Sequence, residues 1–304
     1  MLLNFMAWIF SLWKFSRPHT IIGTSLSVWA LYLITLATNN SGFSNLNLEP
    51  MLIAWLVCLC GNVYIVGLNQ LTDVEIDRIN KPHLPLAAGE FSLAQGGWII
   101  GITGLVAIAV AALSGLWLFA TVVISLLLGT AYSIPPIRLK QFPLLAAFCI
   151  LTVRGIVVNL GIFLHFSQKF RGEEVITSNI WVLTLFILLF TIAIAIFKDV
   201  PDLEGDKKYN ISTFTLILGK STVFNISRSV ITICYLGMIG AGIFWLNSIN
   251  AIFFVSYHLV LLGILWWRSQ DVDLEEKSAI SSFYQFIWKL FFLEYLLFPL
   301  ACWL

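Results

Sequence analysis

Two polar segments end apolar runs of this sequence, and each places charged or amide side chains four residues apart. Residues four apart share one face of a helix, so each segment predicts a polar stripe. The first stripe, within 69–77, comprises Asn69, Asp73 and Asp77, and the second, within 198–206, comprises Lys198, Asp202 and Asp206. An ordinary solvated loop does not explain why this spacing occurs twice, so we interpret both segments as functional.

The acidic side chains of these segments favour metal binding. Carboxylates this close repel one another, and both segments follow helix C-terminal ends, where the helix dipole also disfavours negative charge. Mg²⁺ prefers oxygen ligands and typically binds one or two carboxylates together with substrate phosphate. Two Mg²⁺ ions would neutralise Asp73, Asp77, Asp202 and Asp206, and Asn69 offers a neutral oxygen ligand. We therefore predict a metal-assisted site for a phosphorylated substrate.

Basic side chains near the two segments could offset the charge of a bound diphosphate. Arginine presents a fork of N–H groups to phosphate oxygens, and lysine presents a point charge. Taken singly, each base is explained equally well by the excess of basic residues on the cytoplasmic side of membrane proteins. The candidates are Arg78, Lys81, Arg138, Lys140 and Lys198.

The composition predicts an all-α integral membrane protein. Of the 304 residues, 59% are hydrophobic and 11% are charged, against about 25% charged in soluble domains. A membrane-spanning helix needs roughly 20 apolar residues. We predict one domain, 1–304, that could contain two duplicated four-helix halves and an added ninth helix. The nine predicted spans are 18–37, 51–70, 93–112, 116–132, 143–166, 180–197, 230–246, 251–267 and 283–304.

The basic residues also predict the orientation of the chain. Most of them lie before the first span or in the loops that follow the second, fourth, sixth and eighth spans. All of these segments lie on one side of the membrane, and the positive-inside rule places that side, with the N-terminus and both acidic segments, inside. We therefore expect a multi-pass protein whose site faces the cytoplasm. Because no Ser- and Arg-rich transit segment precedes the first span, we expect a bacterial membrane. The net charge of +1 argues against a nucleic-acid partner, and the pattern leaves the oligomeric state undetermined.

The two acidic motifs resemble those of a known membrane enzyme family. Asn-Gln-x-x-Asp-x-x-x-Asp at 69–77, followed by Asn80-Lys81-Pro82, and the Asp-x-x-x-Asp of 202–206 are similar to the UbiA superfamily of intramembrane aromatic prenyltransferases. Within that superfamily, several stretches look like the homogentisate phytyltransferases of cyanobacteria and plastids. These stretches are 15–20, 67–91, 131–140, 153–155, 197–206 and 283–299. Together with the expected bacterial membrane, this resemblance implies a cyanobacterial one.

The resemblance implies a fold, a cofactor and a reaction. The fold would be nine transmembrane helices around a central cavity, with two Mg²⁺ held at its mouth on a prenyl diphosphate. The metal ligands would be Asn69 and the four motif aspartates, with Asp199 as a supplementary ligand. The reaction would join a phytyl group to homogentisate, releasing diphosphate and CO₂, on the route to tocopherol.

Arg154 is a lone charge deep inside the fifth predicted span. It lies eleven positions into the span, about 16 Å along a helix, where a charge is costly and usually functional. With a homogentisate acceptor, Arg154 is our candidate for binding the acceptor carboxylate. Contact with the diphosphate, or an ion pair with Glu294, remains an alternative for this side chain.

Other functions remain open at this stage. Within the superfamily the donor could be geranylgeranyl or solanesyl diphosphate, and the acceptor 4-hydroxybenzoate, a naphthoate or chlorophyllide. From another class, the acidic stripes could bind the cargo of a cation transporter. Transporter sites usually lie near the bilayer midplane on broken helices, whereas these aspartates follow the ends of their spans.

Overall fold

The structure is a computed structural model that describes residues 2–38, 47–208 and 213–304, except for the side chains of 2–5 and 204–206. Within these ranges the regular secondary structure is helical. The helices are α1 Leu2–Phe15, α2 Pro18–Thr38, α3 Glu49–Thr72, α4 Val74–Asn80, α5 Leu93–Ser114, α6 Leu116–Ser133, α7 Pro143–Leu151, α8 Val158–Arg171, α9 Ser178–Phe197, α10 Leu203–Lys208, α11 Phe214–Leu218, α12 Lys220–Phe244, α13 Ala251–Arg268 and α14 Lys277–Trp303.

Nine spans are found in the part of the chain that the structure describes, which confirms the predicted number. Helices α7 and α8 form a single span, Pro143–Arg171, joined through the π-helical turn Thr152–Val157. The other eight spans are α2, α3, α5, α6, α9, α12, α13 and α14. Only helices satisfy all their backbone polar groups within one segment, as the bilayer requires.

Two spans begin earlier than predicted. Helix α12 begins at Lys220 rather than at 230, and α14 begins at Lys277 rather than at 283. Hydropathy marks only the part of a helix that lies in hydrocarbon. The polar first turns of both helices continue the backbone hydrogen bonding outside that region, so sequence hydropathy placed their starts too late.

The second acidic motif follows the most buried span. Helix α9 is predominantly apolar, and 14 of its 20 residues are buried inside the protein. A helix that is hydrophobic all round is expected at the centre of a bundle. Phe186, Phe190 and Phe197 of α9 are almost fully buried in the main core. The core therefore holds the helix end from which the motif emerges.

A second, smaller core supports the first motif. Phe15 at the end of α1 packs with Leu68, Leu86, Phe91 and Ile100. These residues join α1 and α3 to the loop between α4 and α5. Gln70 lies in the same region and donates a 2.6 Å hydrogen bond to the Phe15 carbonyl. The loop after the first motif is thereby fixed against the end of α3.

Candidate active site

The first acidic motif lies at a break between two helices. Helix α3 ends at Thr72, Asp73 has φ −119° and ψ 16°, and α4 begins at Val74. The Thr72 hydroxyl donates to the carbonyls of Leu68 and Asn69, a side-chain bond that bends helices. The predicted continuous helix over 69–77 is therefore wrong, but Asn69, Asp73 and Asp77 still line one cavity, and the Asn69 side-chain amide donates to Asp73 Oδ2 at 2.9 Å.

The second motif is also not a continuous helix. Helix α9 ends at Phe197, and residues 198–202 form turns before α10 begins. Pro201 explains the break, because proline lacks an N–H and disfavours helical conformation in the preceding residue. The continuous helix predicted for Lys198, Asp202 and Asp206 is wrong for this reason, although Lys198 and Asp202 line the same cavity. Asp206 lies in α10, and its side chain is outside the described part of the structure.

The fold nevertheless brings the two motifs to one cavity, which we call the motif cavity. Helices α4 and α10, one from each motif, are in contact. The Lys81 ammonium forms an ion pair with Asp202 across this junction. The motif residues that line the cavity are Asn69, Asp73, Asp77, Asp199 and Asp202, together with Lys81, Lys140 and Lys198.

Each acidic group of the motif cavity has a basic partner. Asp73 accepts a 2.9 Å hydrogen bond from Arg138 and pairs with the largely buried Lys140. Lys198 pairs with its neighbour Asp199 at 2.6 Å. Four of the five predicted diphosphate-binding bases, Lys81, Arg138, Lys140 and Lys198, thus contact motif carboxylates.

Arg78 is the exception among the predicted bases. Its guanidinium pairs with Glu75 at 2.7 Å, and its side chain is 56% exposed. Together with Arg138 it lines a surface groove that adjoins the motif cavity at Asp73 and Ile76, and it does not line the motif cavity itself. Positions 75 and 78 lie on the opposite side of the helix from Asp73 and Asp77, and neither lines the motif cavity.

Arg17 was not among the residues predicted for the site. Its Nη2 donates to Asn69 Oδ1 at 2.9 Å and lies 4.0 Å from Asp77 Oδ2. In the sequence, the one signal that could have pointed to Arg17 is its place in the stretch 15–20 that is similar to prenyltransferases. Arg17 and Arg138 have positive φ, 53° and 34°, a region that non-glycine residues seldom adopt and that often marks functional sites.

Burial and charge together tune the side chains of the cavity. Burial raises the pKa of Asp77, against the lowering effects of Arg17 and Lys81. Burial lowers the pKa of Lys140 despite its Asp73 partner. For Lys81, burial acts to lower the pKa, but the Asp202 carboxylate outweighs it and the pKa is raised. The charged groups of this cavity are partly removed from water, and they therefore interact with one another more strongly than they would in water.

The donor set fits a hard divalent cation by chemistry. Asp77 Oδ2 is buried and accepts no hydrogen bond, so one carboxylate oxygen has unused capacity to bind a cation. Amide and carboxylate side chains line the same cavity, and their oxygens are the ligand type that Mg²⁺ prefers. Among the described side chains, no three acidic, imidazole or thiol groups lie close enough together to hold an ion. The candidate ligands with described side chains line the motif cavity, and each of them contacts a basic side chain.

A second cavity continues from the first into the membrane-spanning region, and we call it the membrane cavity. Seven residues line both cavities: Arg17, His19, Asn69, Tyr132, Ala195, Lys198 and Tyr284. Side chains from α2, α3, α6, α7, α8, α9 and α14, together with the π-helical turn, line it. Helix α14 supplies an aromatic wall that consists of Tyr284, Trp288, Phe291 and Tyr295.

Arg154 lies in the π-helical turn and lines the membrane cavity. Its guanidinium carbon lies 4.6 Å from the centroid of the Trp288 ring and 5.7 Å from that of Phe291. The alternative ion pair with Glu294 is wrong. Glu294 instead accepts a hydrogen bond from Tyr257 and lies 3.3 Å from His258 Nε2.

Comparisons with known proteins agree with this geometry. Residues 20–290 match the UbiA prenyltransferase family. The chain is 61% identical over 300 residues to a homogentisate phytyltransferase of Synechocystis, covering 98% of this chain and 97% of that protein. It is 40% identical over 291 residues to a homogentisate geranylgeranyltransferase of Triticum aestivum, covering 94% and 71%.

A solved structure shows the same fold. A UbiA homologue from Archaeoglobus fulgidus bound to GPP and Mg²⁺ matches with a TM-score of 0.64, covering 96% of this chain and 99% of that one. The sequence identity is 18%, so this likeness concerns the fold. Together with the two relatives and the family match, it shows that this chain belongs to the UbiA prenyltransferase family.

Proposed function

We propose that the protein is a Mg²⁺-dependent homogentisate phytyltransferase that acts in tocopherol biosynthesis. The observation that carries the proposal is the meeting of two acidic motifs and their basic partners at the mouth of an aromatic-walled membrane cavity. A substrate with a diphosphate head and a long apolar tail matches a polar mouth that leads into an apolar interior. The relative from Synechocystis, named for this activity, supports the choice of donor and acceptor.

The motif residues would bind the diphosphate head of the donor. Asn69, Asp73, Asp77, Asp202 and Asp206 would hold two Mg²⁺ ions, with Asp199 as a supplementary ligand. The ions would neutralise the negative charge that grows on the departing diphosphate.

Basic side chains would bind the diphosphate directly. Lys81, Lys140 and Lys198 line the motif cavity, and Arg138 contacts Asp73 from its rim. Arg17, held against Asn69, joins this set on the basis of its position. We leave out Arg78, because it pairs with Glu75 away from the cavity.

The membrane cavity would hold the prenyl chain and protect the allylic cation from water. Aromatic faces stabilise a cation by roughly 0.5–2 kcal/mol each. Trp288 and Phe291 of the α14 wall already lie next to the Arg154 guanidinium. Their faces would therefore also suit the cationic carbon of the donor.

Arg154 would bind the carboxylate of homogentisate inside the membrane cavity. The allylic C–O bond of the donor breaks, and its electron pair leaves with the diphosphate. A ring carbon of the acceptor supplies the pair for the new C–C bond, and the ring loses one proton. The carboxylate leaves as CO₂, and the remaining methylene carbon takes up one proton.

The test is an assay of the purified protein with phytyl diphosphate and homogentisate labelled in its carboxyl carbon. We expect a methyl-phytyl-hydroquinone product and labelled CO₂ with Mg²⁺, and neither with EDTA. The Asp73→Ala/Asp202→Ala double variant serves as the inactive control. Prenylation of 4-hydroxybenzoate, a naphthoate or chlorophyllide without turnover of homogentisate would contradict the acceptor assignment.

The donor is tested in the same assay with geranylgeranyl and solanesyl diphosphates. We expect the highest kcat/KM with phytyl diphosphate. A preference for either of the other donors would change the donor while leaving the reaction type intact. Metal flux in proteoliposomes without prenyl transfer would instead support a cation transporter.

We further propose that the motif cavity opens to the cytoplasmic side of a bacterial membrane. The distribution of lysine and arginine between the loops supports the cytoplasmic side, and the similarity to the protein from Synechocystis supports a bacterial membrane.

A further inference from the structure

The π-helical turn that carries Arg154 is held by side chains from two helices. The Asn159 amide nitrogen of α8 donates 2.9 Å hydrogen bonds to the carbonyls of both Arg154 and Gly155. The Tyr295 hydroxyl of α14 donates a 2.9 Å hydrogen bond to Asn159 Oδ1. Asn159 is fully buried and Tyr295 is 3% exposed. A chain of hydrogen bonds thus links α14 through α8 to the backbone of Arg154.

The turn needs this support because its backbone pairing is irregular. In an α-helix the Val158 N–H would bond the Arg154 carbonyl, but here it bonds the carbonyl of Val153. A carbonyl left without its regular partner inside the bilayer is costly, because no water is available to replace that partner. The Asn159 amide supplies the replacement donor to Arg154. The shape of the turn therefore depends on the position of Asn159.

The same hydrogen bonds set Arg154 relative to the aromatic wall. Trp288, Phe291 and Tyr295 follow one another at helical spacing on the cavity side of α14. The Arg154 guanidinium lies against the first two rings, and Tyr295 is tied to its turn. The position of the Arg154 guanidinium relative to the aromatic wall of α14 is consequently fixed by these hydrogen bonds.

We propose that Tyr295 and Asn159 are positioning residues that set the place of the Arg154 guanidinium and, through it, the affinity for the acceptor carboxylate. This inference rests on the proposed role of Arg154. The Tyr295 hydroxyl donates its hydrogen bond to Asn159, and the Asn159 side-chain amide donates its hydrogen bonds to the turn. These donors therefore act on Arg154 rather than on the acceptor itself.

The first test is Tyr295→Phe, which removes one hydroxyl and keeps the ring of the cavity wall. A hydrogen bond contributes modestly, so we expect the KM for homogentisate to rise about five- to tenfold. The kcat and the KM for phytyl diphosphate should stay within about twofold. With methylhydroquinone, an acceptor that lacks the carboxylate, the variant and the parent protein should have equal KM values. An equal rise with both acceptors would overturn the inference.

Asn159→Asp is a second variant of nearly the same size. It removes the N–H donors to the turn, and we expect it to raise the KM for homogentisate in the same selective way. The matched control is Tyr257→Phe, which removes another buried tyrosine hydrogen bond, to Glu294 on α14. We expect the control to leave the KM for homogentisate unchanged. Thermal unfolding of each purified variant in detergent verifies that it is folded.

The Arg154→Gln variant separates this inference from the proposed function. If it raises the KM for homogentisate while Tyr295→Phe does not, the positioning role fails and the role of Arg154 stands. If it leaves that KM unchanged, the acceptor role of Arg154 fails and the inference fails with it. In the Arg154→Gln background, Tyr295→Phe should add nothing, because both act through one group. An additional five- to tenfold rise there would overturn the inference.

Discussion

At the mouth of the cavity, carboxylates of the acidic motifs pair with bases from other parts of the chain. Lys81 reaches Asp202 and Lys140 reaches Asp73, across 121 and 67 residues of sequence. Breaking a buried pair leaves an uncompensated charge, which is strongly destabilising. The proposed metal–diphosphate complex would avoid that cost, because the carboxylates would exchange lysine for Mg²⁺ while the lysines would exchange carboxylate for phosphate.

The first prediction concerns the acidic ligands. Asp202→Ala should lower kcat by about a hundredfold or more, because it removes charge stabilisation at the departing diphosphate. The matched control is Glu75→Ala, in the other motif, whose side chain is 64% exposed and paired with Arg78. The control should stay within about twofold of the parent. Turnover at saturating Mg²⁺ and substrates measures both, and equal losses would contradict the assignment.

The second prediction concerns the basic partners. Lys140→Met should raise the KM for phytyl diphosphate roughly tenfold or more, because a charge-assisted contact to phosphate is lost. Arg78→Met should leave that KM unchanged, since Arg78 pairs with Glu75 outside the cavity. Initial rates at fixed Mg²⁺ and varied donor provide the comparison. A similar rise in both variants would point to a general effect of positive charge.

At the scale of elements, a glycine lets the π-helical turn pack directly on α9. A Cβ added at Gly155 would lie 2.7 Å from Leu188 Cδ1 and 2.9 Å from the Leu188 Cα. The second contact is with backbone, which cannot rotate away as a side-chain end could. The backbone around Arg154 is thus fixed by the packing of Gly155 against Leu188 and by the hydrogen bond from the Asn159 side chain.

The third prediction follows from that close approach. Gly155→Ala should lower the free energy of unfolding by about 1–3 kcal/mol, the usual cost of overpacking. Gly101→Ala in α5 is the matched control, since a Cβ there meets nothing within 4 Å. Midpoints of thermal unfolding in detergent should fall for the first variant and hold or rise for the second. A lower midpoint for both would contradict a packing origin.

Across the whole molecule, the packing order is in keeping with the predicted duplication. Helix α3 contacts α5 extensively, and α9 contacts α12 extensively. Helices α3 and α5 are the second and third spans of the first predicted half, and α9 and α12 are the second and third spans of the other. In each half an acidic motif follows the second span. The duplication itself stays a prediction.

The fourth prediction concerns the orientation of the chain in the membrane. In a cysteine-free background, Glu275→Cys should react with a membrane-impermeant thiol reagent only when the cytoplasmic side is exposed. Glu173→Cys should react only from the opposite side. Both glutamate side chains are exposed, 88% and 51%. The reverse labelling pattern would place the motif cavity on the outer face.

Sequence was sufficient for the features that depend on composition and local spacing. The nine spans follow from the length and hydrophobicity of each segment, because the bilayer admits little else. The motif residues were recognisable because aspartates with this spacing seldom follow apolar spans without a function. Lys81, Lys140 and Lys198 could be proposed because they lie near the motifs or in one neighbouring loop.

Tertiary structure decided the pairing and direction of those same side chains. Helix α3 ends at Thr72 and α9 ends at Phe197, so neither motif forms the single continuous helix that the spacing predicted. Lys81 pairs with Asp202 of the other motif, whereas Arg78 pairs with Glu75 outside the motif cavity. Arg17 became part of the site, and Glu294 paired with His258 instead of Arg154. Side-chain contacts between distant helices depend on packing and backbone direction, and the local pattern of residues contains neither.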